Sequence, residues 1–182
     1  MNRQMRYPAF ILPLVLIACA KEQKPAAPQQ SPPVATLPAP QQSAATLVGD
    51  SWPDAALTPG DWVYRRDDRG SLALFGTPRA DARFMLRCDE RAQRIYLSRQ
   101  GTLAEGDSAV MTLRATSGVK SFTVRNTGDT PPYVAVALAA NERQLDAIAY
   151  SRGRFLVSIK GSNDLVIPSW PEIARVIEDC RG

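Results

Sequence analysis

The stretch "RFMLRCDERAQRIYLSR", residues 83–99, reads as two strands joined by a polar turn. Phe84, Leu86 and Cys88 fall on one face of the first strand, and Ile95 and Leu97 on one face of the second. Charged and polar side chains fill most of the positions between. Successive side chains of a strand point to opposite faces, so this alternation describes half-buried strands.

The same pattern recurs on both sides of that stretch. "DWVYRR" (61–66) and "SLALF" (71–75) precede it; "VMTLRAT" (110–116), "SFTVRN" (121–126), "YVAVAL" (133–138), "RFLVSI" (154–159) and "DLVIP" (164–168) follow. Turn signals separate them at Gly101, Gly106, Gly118, the 126–132 segment and Gly161. Eight or nine short strands at this spacing predict a mainly β domain over residues 51–182, an antiparallel β-sandwich or barrel.

Two short helices interrupt the strands. Asn141 is placed to cap "ERQLDAIAYS", where Leu145, Ile148 and Ala149 follow helical spacing. In "SWPEIARVIEDC" at the C-terminus, Ser169 and Glu172 have the spacing of a capping box, and Pro171 suits the first turn. Ile173, Val176, Ile177 and Cys180 then form one apolar stripe.

The chain has no histidine, which removes Ser-His-Asp and Cys-His nucleophile systems and the commonest transition-metal ligand. Its formal charge of +4 includes Arg3 and Arg6, which precede an apolar run. Without them the excess is small and no basic face stands out, so nucleic acid is not an expected partner. Residues 51–182 carry 16 arginines against two lysines, Lys120 and Lys160. Either genomic base composition or an anionic ligand accounts for that skew, since the arginine fork suits carboxylate and phosphate.

Residues 7–18 form an apolar run of 12, too short for the roughly 20 residues that span a bilayer, but right for a signal peptide. The run ends in Leu16-Ile17-Ala18-Cys19, which resembles the lipobox of bacterial lipoproteins. The resemblance implies a signal peptide over residues 1–18, lipidation of Cys19, and cleavage before it by signal peptidase II. A multi-chain anchor at Cys19 would hold the protein stably at a membrane. Ala20, where many inner-membrane lipoproteins carry Asp, points to the outer membrane, with the domain facing the periplasm. The alternative is an ordinary secretory signal cleaved near Ala20. Residues 19–50 are then the lipidated cysteine and a Pro-, Ala- and Gln-rich flexible linker. Fully extended, that tether reaches roughly 95 Å, and as a coil roughly 30 Å.

With Cys19 assigned to lipid, Cys88 and Cys180 are left as the possible internal pair. Both are expected to face the core, and an oxidising periplasm favours a disulfide over two buried thiols.

The search for chemistry is less productive. "SGVK" (Ser117 to Lys120) matches the S-x-x-K element of penicillin-binding enzymes, with none of their companion motifs. Asp67-Asp68, Asp89-Glu90 and Glu178-Asp179 are adjacent acids at turns and a helix end, where solvation is the expected role. No catalytic, metal or cofactor residues are assigned. In "AYSRGRFLV" (149–157), Arg152 and Arg154 flank Gly153. On an extended backbone both would project from one face and could grip an anionic group of a partner. As a helix end, the same residues are a glycine C-cap with basic neighbours.

"FMLRCD", "YSRGRF" and "EDC" occur in the order found in periplasmic lipoproteins that inhibit C-type lysozyme, to which the domain is weakly similar. Those proteins are β-barrels with an early and a late cysteine and a Ser-Gly-x-x-Tyr-like loop. Here Arg152 is inserted in the loop and Phe155 replaces the aromatic hydroxyl. The leading expectation is a non-enzymatic, membrane-anchored envelope domain that binds a periplasmic protein or glycan. An inhibitor of a hydrolase such as lysozyme is the second reading, and a small enzyme using carboxylate or Ser-Lys chemistry the third.

Overall fold

The computed structural model describes residues 51–182; the signal peptide, Cys19 and the linker expected over residues 1–50 lie outside the described residues. Each alternating stretch of sequence becomes a strand: β1 (Asp61–Asp67), β2 (Gly70–Gly76), β3 (Phe84–Asp89), β4 (Arg94–Gln100), β5 (Ser108–Ala115), β6 (Gly118–Asn126), β7 (Tyr133–Ala139), β8 (Arg154–Ile159) and β9 (Leu165–Pro168). A helix, α1 (Arg143–Ala149), lies between β7 and β8, and α2 (Pro171–Arg181) ends the chain.

All nine strands belong to one antiparallel sheet in the order β1-β2-β3-β4-β7-β6-β5-β8-β9. The sheet curls into a half-barrel. Its weakest seam is between β6 and β7, which pair only at Arg125 with Ala135 and Asn126 with Val134. The far edges of the sheet meet across the curl. Thr58 donates its N–H to Val166 O (2.8 Å), Val166 N–H returns to Thr58 Oγ1 (3.0 Å), and the Trp62 indole donates to Pro168 O (2.8 Å). Edge strands left open invite pairing with other chains, and these bonds occupy backbone groups of the β9 edge.

The inner face carries the core: Trp62, Phe75, Phe84, Leu86, Ile95, Leu97, Met111, Leu113, Phe155, Val157 and Ile167 among others. Trp62 packs tilted against Phe75 and edge-on to Phe84, whose ring meets Phe155 edge-on at 5.9 Å. The apolar stripe of α2 closes over this face, packing mainly on β2 and β3, with α1 beside it on β5 and β6. Ile173, Val176 and Ile177 are buried there, each worth about 1.5–3 kcal/mol relative to exposure.

Both helix starts differ from the sequence expectation. α1 is capped by Glu142, whose carboxylate accepts from Gln144 N–H, rather than by Asn141. α2 begins after Trp170 with no side-chain cap. The Ser169 hydroxyl, expected in a capping box with Glu172, instead donates to Ile148 O at 2.8 Å and ties α2 to α1. A tertiary bond has taken the group that local spacing assigned to the helix end.

Cys88 and Cys180 form a disulfide with their Cα atoms 5.4 Å apart, joining the end of β3 to the last turn of α2. The β1–β2 turn lies against the same place. A Cβ on Gly70, which has φ of 140°, would come within 2.8 Å of Cys88 O, so this turn requires glycine.

Candidate functional site

The end of the sheet where the β5–β6 turn, α1 and the start of β8 converge carries the largest clefts among those described. One, of about 910 Å³, is lined by Trp52, Arg114, the turn residues 115–119, Tyr150 and Arg152. The other, of about 620 Å³, lies on the far side of the same turn and is lined by Lys120, Glu142, Arg143 and Tyr150 among others. Tyr150 and Val119 stand between them, 68% and 54% exposed. Trp170, 41% exposed, belongs to the same end, because Ser169 before it bonds to Gly153 O and Ile148 O.

Local structure explains why these groups are displayed. Tyr150 is the C-cap of α1, where the chain leaves its helix before entering β8. Gly153 takes φ of 77° to turn the chain, a conformation glycine adopts without a Cβ penalty. Ser151 is buried and holds the turn from inside: its hydroxyl donates to Arg154 O and accepts from Thr116 N–H at 3.1 Å. Arg152 N–H is fixed by Thr116 Oγ1, also at 3.1 Å, which leaves its guanidinium over the larger cleft.

The left-handed turn at Gly153 excludes the extended alternative. Arg152 and Arg154 would share a face only on an extended backbone. Arg154 instead donates to Ala55 O and pins the N-terminal segment over β8. Arg152 alone of the two faces the cleft.

The remaining candidates are engaged elsewhere. Lys120 of the S-x-x-K stretch pairs with Glu142 at 2.8 Å and lies over the Phe122 ring at 5.5 Å. Its hydrogen bond is the first cause of the lowered pKa of Glu142. Three of the adjacent acids form ion pairs at the solvated turns around the disulfide: Asp67 with Arg87 (2.7 Å), Asp89 with Arg69 (3.1 Å) and Glu90 with Arg66 (2.7 Å). The Arg87 bond and the Ala92 N–H respectively are the main causes that hold Asp67 and Asp89 below the usual carboxylate range. Asp179 accepts from the Tyr64 phenol at 2.7 Å. Burial raises its pKa, and Ser71, Tyr64, Arg66 and Arg175 together outweigh that, leaving it lowered. Among the described residues, no three His, Cys, Asp or Glu side chains gather as they would around a metal.

Sequence reasoning missed two features. Tyr150 and Trp170 sit at element ends, where periodicity says nothing of exposure. Arg99 was legible in principle: it continues the inward face of Ile95 and Leu97, and an inward arginine breaks the pattern. It is 7% exposed. Burial is the first cause of its lowered pKa, with Arg83 adding to the lowering and Asp164 opposing it.

No family model matches the chain, and comparisons with curated proteins and solved structures find no match either. Fold and surface together define a disulfide-stapled, mainly β domain with an aromatic and basic end.

Proposed function

We propose that the protein is a lipid-anchored envelope protein whose β domain, carried on the 19–50 linker, binds a periplasmic protein or glycan. The binding surface is the end formed by Val119, Tyr150, Arg152 and Trp170. One observation carries this reading. Three of the six large apolar side chains exposed among the described residues, Val119, Tyr150 and Trp170, lie at the end where Arg152 lines the larger of the two clefts. Tyr, Trp and Arg are the residues enriched where binding energy concentrates. The surface rests on rigid elements, since Thr116 and Ser151 hold the Arg152 turn from below.

The Tyr150→Ala/Arg152→Glu double variant tests the surface directly. It should lose the partner captured by crosslinking in intact cells, while its unfolding free energy stays within about 0.5 kcal/mol of the parent. Capture at parental yield would overturn the surface assignment. Cys19→Ser should move the protein from the membrane to the soluble fraction; unchanged fractionation would overturn the anchor.

A further inference from the structure

The opposite end of the sheet holds a buried cation whose surroundings are incomplete. Arg99 is the second-last residue of β4, and its guanidinium donates to Gln100 O at 2.8 Å and to Asn163 O. Both acceptors are neutral carbonyls. The Nε atom is buried with no hydrogen-bond partner among the described residues. Burying a guanidinium is costly unless countercharge and hydrogen-bond acceptors satisfy it.

Asp164 favours the charged form of Arg99, but Arg83 opposes it, so two cations and one carboxylate act here. Arg83 and Arg99 line the same hollow, of about 400 Å³, together with Gln100, Ser162 and Asn163. Guanidinium, hydroxyl and amide groups line it, with Leu165 as the apolar member. The Arg83 backbone is held on both sides, by Arg83 N–H to Phe75 O (2.7 Å) and Gln100 N–H to Arg83 O (3.0 Å). The hollow is therefore fixed in shape at its wall.

We infer that this hollow between Arg83 and Arg99 binds a phosphate group. Phosphate fits better than a carboxylate because donors lie on Arg83 just before β3, on the end of β4 and on the 160–164 turn, more directions than one planar carboxylate uses. Arginine forks supply charge-assisted bonds to its oxygens. The volume exceeds that of one phosphate and admits the group it is attached to.

The test uses the full chain with Cys19→Ser, so that the anchor does not carry it to lipid. Inorganic phosphate, acetate and a short-chain phosphatidylglycerol below its micelle concentration are titrated separately. The readouts are the Nε–Hε resonances of Arg83 and Arg99 and the thermal midpoint. Phosphate or the lipid should move both resonances and raise the midpoint, and Arg83→Gln should weaken that binding at least about tenfold, a loss of about 1.4 kcal/mol. A response to inorganic phosphate marks a free phosphate; one to the lipid alone marks a headgroup. Acetate acting as strongly as phosphate, an equal response in Arg83→Gln, or no response to either phosphate probe would overturn the inference. Arg99 is observed and not substituted, so the result does not depend on a variant that loses its fold.

Discussion

At one end of the sheet, the β1–β2 and β3–β4 turns meet α2 through a covalent bridge, an apolar helix stripe and a ring of ion pairs. At the other end, β4 meets the 160–164 turn through one buried guanidinium. The first end is redundant: Cys88–Cys180, Ile173, Val176 and the bonds to Asp179 all hold the same helix. The second has Arg99, whose bond to Asn163 O spans 64 positions of chain. The contrast teaches how a small domain divides labour. One end is built to persist, and it carries a display surface beside it. The other keeps a charge that its own fold only partly compensates.

The largest effect is expected at the redundant end. Replacing both Cys88 and Cys180 by Ala releases a closed loop with a sequence separation of 92. Chain entropy then predicts a loss of about 4–5 kcal/mol in denaturant unfolding, an upper figure. A loss under about 1 kcal/mol would show that the helix stripe and ion pairs suffice without the bridge.

Arg99 should separate charge from volume. Arg99→Ala removes the guanidinium bonds and is expected to cost about 2–3 kcal/mol. Arg99→Met fills much of the space with no charge to bury, and should cost less than about 1 kcal/mol. Equal losses for the two variants would mean that the hydrogen bonds outweigh the buried charge, and would narrow the contrast between the ends.

Acid should distinguish the ends by the smallest effect. The folded pKa of Asp179 is lowered, so its stabilisation is present above the unfolded value near about 3.9 and is lost as pH falls through the folded value. Asp179→Asn should therefore cost about 1 kcal/mol at neutral pH, and the parent and variant should converge in strong acid. Unfolding curves at pH 7 and near pH 2 check this; a difference that persists in acid would assign the loss to packing. Asp67 and Asp89, lowered in the same way, lie at the same end and weaken with it.

Much of this was readable from the chain. Alternation in residues 83–99 located β3 and β4, and the stripe of Ile173, Val176, Ile177 and Cys180 located α2 with its buried side. The cysteine pairing followed from their inward positions once Cys19 was set aside. The site was less legible. Arg152 and Arg154 were both candidates, with extended backbone and a helix end at Gly153 as alternatives, and the positive φ there excludes the extended one and sends the two arginines apart. Ser169 showed capping-box spacing, yet its hydroxyl had a better use in Ile148 O.

Local pattern in the chain specifies the strands, the inward face of each, the terminal helix and the inward placing of Cys88 and Cys180. Those features depend on neighbours two to four positions apart, where backbone geometry decides which side chains share a face. Only the tertiary structure decided that β4 lies beside β7 and β5 beside β8, and that Trp62 reaches Pro168 across 106 positions to join the edges. It also decided that Tyr150, Arg152 and Trp170 share one end and that Arg83 and Arg99 share a hollow at the other. Such pairings are selected by packing and charge between segments far apart in the chain, and no local period encodes them.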